Sequence, residues 1–271
     1  MAASKNAILV VSFGTSYADT RERTIGAIEN RIREAFPLWR VERAFTSGMV
    51  IRSILKKEGV SVEDVPSALK RLAAVGVDNL VVQPTHLMTG KEYEKMCAQV
   101  EPFRGSFSQI RIGRPLLADE ADVAALAGVL EQIYCEDPES RSAASPNGTA
   151  AEAVLLMGHG TDVCSDGVYA RLQEKLQEKE YNRILIGTVE GAVTLPDVME
   201  QIRPKEVHRL RIAPLMVVAG DHAVNDMAGD SPDSWKSVLE RAGYEVLPLL
   251  KGLGEYPQIQ ELYVRHVQDV L

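Results

Sequence analysis

Short runs of apolar, largely β-branched residues alternate along this chain with longer stretches whose apolar side chains recur every three or four positions. Strand-like runs lie at Ala7–Phe13, Val41–Ala44, Asn79–Gln83 and Ile110–Gly113. They return at Ala153–Met157, Arg183–Gly187, Arg209–Ala213 and Glu245–Leu247. Helical spacing marks Thr20–Ala35, where Ile25, Ile28, Ile32 and Ala35 share a face, as well as Val65–Val75 and Gly167–Lys179. Regular strand–helix alternation predicts an α/β protein with parallel sheets, right-handed crossovers and helices on both faces.

The pattern is written twice. AILVVSFGTS from Ala7 resembles AVLLMGHGTD from Ala153, an offset of 146. RAFTSGMV from Arg43 lies over IGTVEGAV from Ile186, and NLVVQPTHLMTGKE from Asn79 lies over RLRIAPLMVVAGDH from Arg209. RIGRPLL from Arg111 lies over YEVLPLL from Tyr244. The order is kept while the offset drifts with loop length, as an old duplication predicts. Two similar Rossmann-like domains follow, over residues 1–125 and 150–256, with a loop over 135–152 rich in Ser, Ala, Pro and acidic residues. A last amphipathic helix over 257–271 has no strand after it and is expected to pack back on the first domain.

Open parallel sheets bind ligands beyond the carboxyl ends of their strands. Superposing the repeats pairs Phe13 with His159, Ser47 with Glu190, and Glu92 with His222 at those ends. Facing sheets would turn these loops into one cleft. His159 stands in MGHG and His222 in VVAGDHAVND, each just after a strand and close to glycine, which permits unusual backbone angles and close ligand approach. Imidazole with carboxylate suits Co²⁺, Ni²⁺, Fe²⁺ or Zn²⁺. Glu190, in GTVEG, is the third candidate ligand, and Glu92, in TGKEYEK, could face the metal or act as a base. Asp221 or Asp226 could orient His222. His86 ends a strand near Glu92, whereas His208 and His266 read as surface positions.

Composition narrows the function. A formal net charge of −8 and the lack of any basic stripe argue against nucleic acid as a partner. The apolar run at the N-terminus is too short for a membrane span and carries no signal-cleavage pattern, so a cytoplasmic protein is expected. Three widely spaced cysteines make neither a disulfide framework nor a thiolate zinc site. SFGTS is not a nucleophile elbow or a P-loop, and no G-x-G-x-x-G follows a strand, so a nicotinamide cofactor is not expected.

With these residues in view, the chain resembles the anaerobic sirohydrochlorin cobaltochelatases, class II chelatases of cobalamin biosynthesis. LVVSFGTSY, RAFTSGMVIR, GKEYEKM, LLMGHG, VVAGDHAVNDMAGD, DSWK and GLGE carry the likeness nearly end to end. FTSGM and AGDHAVNDM are its most specific parts. The resemblance implies insertion of Co²⁺ into a sirohydrochlorin-type tetrapyrrole with release of two protons, Fe²⁺ or Ni²⁺ being alternatives in vitro. It implies that His159, His222 and Glu190 hold the metal, and that Glu92, or else His159, takes the pyrrole protons. Ser12, Phe13, Met49, His86, Leu87 and Met88 are then expected to line the macrocycle, and Arg52, Lys91 or Lys251 to meet its carboxylates. Some exported relatives bind haem through a histidine on the helix after the Glu92 motif. KEYEKMCAQVEPFRGSF contains none, so no haem is expected. Sirohaem synthesis by iron insertion and a metal or tetrapyrrole carrier are the competing readings. Oligomeric state is open, a homo-oligomer included.

Overall fold

The computed structural model describes residues 5–136, 151–160, 163–178, 183–203 and 207–271. These form two compact units, Met1–Ala118 with Pro257–Leu271, and Asp119–Tyr256.

The first unit holds a parallel sheet of four strands, β1 (Asn6–Ser12), β2 (Arg40–Phe45), β3 (Asn79–Pro84) and β4 (Gln109–Ile112), in the order β2-β1-β3-β4. The second repeats it with β5 (Ala151–Gly158), β6 (Ile184–Thr188), β7 (Val207–Pro214) and β8 (Glu245–Pro248), in the order β6-β5-β7-β8. All eight strands lie within two residues of the positions read from the sequence. Central strands of parallel sheets are covered on both faces, which is why they read as unbroken apolar runs. Ala7 to Val11 of β1 have no exposed surface, and each large side chain there contributes about 2 kcal/mol by burial.

Helices fill the connections. In the first unit α1 (Ala18–Arg21) runs through a π-helical stretch, Glu22–Gly26, into α2 (Ala27–Ala35). After them come α3 (Gly48–Glu58), α4 (Val65–Ala74) and α5 (Lys91–Val100). Ser47 caps α3 by accepting from the Val50 amide at 3.3 Å, and Asp64 caps α4 by accepting from Ser67 at 2.9 Å. The second unit holds α6 (Glu120–Glu131), α7 (Val163–Glu178), α8 (Leu195–Ile202) and α9 (Trp235–Arg241). The final helix, α10 (Pro257–Gln268), belongs to the first unit.

The repeat extends to individual backbone bonds at the carboxyl ends. Thr46 donates to Ser12 O at 2.9 Å as Val189 donates to Gly158 O at 3.1 Å. Ser47 donates to Phe13 O at 3.3 Å as Glu190 donates to His159 O at 2.9 Å. Leu116 donates to His86 O as Leu253 donates to Met216 O. Gly14 and Gly160 both take positive φ, at 97° and 80°. Phe13 is therefore the counterpart of His159, and Ser47 of Glu190.

Each repeat's last helix is exchanged. α6 follows β4 yet groups with the second unit, where Glu120 pairs with Arg171 at 3.3 Å and Tyr134 O accepts from Arg211 at 2.7 Å. The first unit thus ends at Ala118, not at residue 125, because Asp119 caps α6 and the apolar face of that helix packs on α7. α10 follows β8 yet packs on α2, with Glu261 paired to Arg31 at 2.7 Å. Tyr263 of α10 donates to Thr85 O at 2.9 Å. His266 is a correction to the surface reading. It is buried on the apolar face of α10, with Nδ1 3.2 Å from Arg114 O and its ring edge-on to Tyr263. Of the loop read over 135–152, residues 137–150 lie outside the described residues; Gln132–Glu136 continue α6 as a π-helical turn, and β5 begins at Ala151.

Candidate functional site

His159 follows β5 directly, and its loop is locked by glycine. Gly160 has φ of 80°, and a Cβ there would stand 2.4 Å from the Gly191 amide nitrogen. The loops after β5 and β6 consequently touch backbone to backbone, which brings Glu190 beside His159. His159 Nδ1 lies 2.8 Å from Gly160 O. A carbonyl only accepts, so Nδ1 is the donor of this bond and Nε2 is not engaged by it.

His222 opens a π-helical turn, His222–Met227. The wider turn is a feature that recurs at functional positions. Its Nδ1 lies 2.6 Å from Asp226 Oδ2, a carboxylate contact that orients the ring and does not engage Nε2. Of the two candidate orienting acids the structure selects Asp226, because Asp221 is engaged in accepting from Asn225 at 2.9 Å. The two imidazoles meet edge to face, ring centroids 4.6 Å apart. Two similarly polarised, half-exposed imidazoles thus stand together at one end of the second sheet.

Glu190 is not gathered as tightly. Its carboxylate is exposed and 4.0 Å from His159 Nδ1, the nitrogen already turned to Gly160 O. Among the described residues, no three His, Cys, Asp or Glu side chains converge as a ready-made cation site. The histidine pair is assembled, and the acid stands at its margin.

At the matching end of the first sheet, Phe13 is 47% exposed and Met49 is 70% exposed, an unusual display for large apolar side chains. Leu87 is half-buried, Met88 is buried, and Arg52 on α3 is exposed. Glu92 lies in the first turn of α5, partly exposed, with its carboxylate 3.4 Å from Lys95 Nζ. The Ser12 hydroxyl is buried and accepts from Thr85 Oγ1 at 2.7 Å, a contact that ties the end of β1 to the residue after β3. Met96, the only soft donor on α5 besides Cys97, is fully buried in the first core.

His86, at the end of β3, has both ring nitrogens buried without a hydrogen-bond partner, and the buried Thr46 hydroxyl at the end of β2 has none either. Burial pushes the His86 imidazole down to about 4, with Glu92 raising it and Lys95 lowering it by smaller amounts. The unfolded chain, with its histidine near the usual 6.5, binds a proton that the folded chain refuses. Stability is therefore expected to fall as pH drops from about 6.5 toward 4, by roughly 2 to 3 kcal/mol at pH 4.5 from this group. Urea unfolding of His86→Gln at pH 7 and 4.5 should show that much less acid sensitivity than the parent. Equal sensitivity in both would mean that His86 ionises freely.

Two features were beyond sequence reasoning. Lys95 looks like a solvated helix charge, and nothing marks His222–Met227 as a π-turn. Glycine on either side of His159 was the signal that singled it out.

Comparison with known proteins agrees with this layout. The family model described as cobalt chelatase (CbiK) matches residues 6–271. A sirohydrochlorin cobaltochelatase of Salmonella typhimurium is 37% identical over 267 residues, covering 98% of this chain and 97% of that protein. The sirohydrochlorin cobaltochelatase CbiKC of Nitratidesulfovibrio vulgaris is 32% identical over 266 residues, covering 97% and 90%. In fold, SirB from Bacillus subtilis with Fe3+ superposes with a TM-score of 0.62 at 15% identity, covering 97% of this chain and 94% of SirB. A cobalt complex of the sirohydrochlorin chelatase SirB superposes at 0.58 with 14% identity and the same coverage. Two four-stranded parallel sheets with a histidine pair at the carboxyl end of one, together with a full-length match, place this chain in the cobalt chelatase (CbiK) family of metal chelatases.

Proposed function

We propose that the protein inserts Co²⁺ into sirohydrochlorin and releases two protons per turnover. The observation that carries this reading is the His159–His222 pair, with each ring held at Nδ1 by an oxygen acceptor and its Nε2 outside that contact. Imidazole nitrogens suit a borderline divalent ion. A set with no third ligand already locked in place suits a metal that must be handed on, since closed four-ligand sites retain their ion. Glu190, on the loop that is bonded to His159, is the third ligand in this reading.

The first unit supplies the macrocycle's surroundings in this reading. Phe13, Met49, Leu87 and Met88 offer apolar contact to the ring, and Arg52 a charge for one of its carboxylates. His86 and Thr46 carry buried polar atoms that await a partner. Glu92 accepts the pyrrole protons, a task for a carboxylate within hydrogen-bond reach of the leaving proton.

Absorbance of sirohydrochlorin mixed with Co²⁺ and sub-stoichiometric protein tests the reading. Many equivalents of cobalt product per protein are expected; one equivalent would make the protein a carrier, and preference for Fe²⁺ in competition would make it a ferrochelatase. Asp226→Ala is expected to weaken Co²⁺ binding about ten- to a hundredfold, as loss of an imidazole-orienting acid does elsewhere. Titration calorimetry checks this, and unchanged affinity would show that Asp226 does not orient the ligand.

A further inference from the structure

Lys95 stands one turn along α5 from Glu92. Such i,i+3 pairs on exposed helix faces contribute little and leave both side chains mobile. This one is built differently. The Lys95 ammonium donates to Thr46 O at 2.9 Å, on a segment 49 residues earlier in the chain. The amide of Thr46, the residue directly after β2, in turn donates to Ser12 O at 2.9 Å, so the anchor is tied to the end of the sheet. From that fixed point the ammonium reaches both Glu92 oxygens, at 3.5 and 3.4 Å. The N-cap of α5, Gly90, has no side chain to bind the helix start, so this link supplies a restraint that the cap does not.

We propose that Lys95 is a positioning residue, fastening the Glu92 carboxylate to the end of β2 so that it faces the reacting macrocycle in one orientation. The proposal rests on the reading of Glu92 as proton acceptor. Misplacing a reacting group by about 1 Å can cost on the order of a hundredfold in rate, so a restraint on a mobile glutamate has real leverage. Loss of Lys95 should lower the chemical step without weakening binding, because in this proposal its ammonium acts through Glu92 and not on the substrate.

Steady-state kinetics of Lys95→Met, Lys95→Arg, Glu92→Gln and the Lys95→Met/Glu92→Gln double variant provide the test, with circular dichroism to confirm folding. Lys95→Met should lower kcat about ten- to a hundredfold with KM for sirohydrochlorin unchanged, and Lys95→Arg should recover part of the loss. The double variant should be no slower than Glu92→Gln alone, since two residues acting as one unit are not additive. Full kcat in Lys95→Met beside an inactive Glu92→Gln would overturn the positioning role, as would losses that multiply in the double variant. Full activity in Glu92→Gln would instead remove the reading of Glu92, and the proposal with it.

Discussion

His159→Ala and His222→Ala are each expected to reduce cobalt insertion by at least about a hundredfold while leaving the fold intact. The magnitude follows from ligand count. Removing an orienting partner of a metal-bound imidazole already costs ten- to a hundredfold, and removing the imidazole removes the bond itself. Retention of the fold follows from position. Both rings are half-exposed at a sheet end, His159 with 47% and His222 with 35% of its side chain accessible, so truncation leaves no sealed cavity. The two losses should not multiply, because one imidazole without the other is a poor site. Initial rates with saturating sirohydrochlorin and varied Co²⁺ check this. Near-parental rates in both variants would remove the metal role from the pair.

Gly160→Ala is expected to be nearly as damaging, by a different route. Its φ of 80° lies where side-chain-bearing residues are strained, and the new methyl would fall 2.4 Å from the Gly191 nitrogen and 2.9 Å from the Glu190 carbonyl carbon. Both contacts are backbone, so relief requires the loops after β5 and β6 to part. That parting carries Glu190 away from His159 and breaks the Glu190-to-His159 backbone bond of 2.9 Å. A loss of about 2–4 kcal/mol in unfolding free energy and at least tenfold in Co²⁺ affinity is expected. Urea unfolding and calorimetry on one preparation separate these effects. Unchanged values for both would mean that the loops are not packed as described. Ser47, the counterpart of Glu190, is by contrast occupied as the cap of α3.

The strands were legible because each is a short, continuous apolar run, the signature of a sheet covered on both faces. The pairings Phe13–His159 and Ser47–Glu190 were legible because the duplicated chain preserves order around each strand end. Other features left no trace in the periodicity. The grouping of α6 with the second unit depends on which surface the helix meets, whereas the return of α10 to the first unit was legible because no strand follows it. His266 was misread since burial came from its carbonyl partner at Arg114, remote in sequence. The burial of Ser12 was not legible, because a hydroxyl at a strand end can turn inward when another hydroxyl, here Thr85, is there to pair with it. Asp221 and Asp226 could not be ranked from sequence, because both lie close to His222 and which carboxylate reaches its ring depends on the local turn. Lys95 was hidden for the related reason that its anchor, Thr46 O, is backbone.

The central claim is that His159 and His222 together hold the incoming metal. Anomalous diffraction at the cobalt edge, from crystals soaked in Co²⁺, tests it most directly. The account predicts one strong peak about 2 Å from both Nε2 atoms, the usual imidazole distance for such ions, with Nδ1 of each ring still facing Gly160 O and Asp226. A peak bound elsewhere, with both Nε2 atoms free, would contradict it.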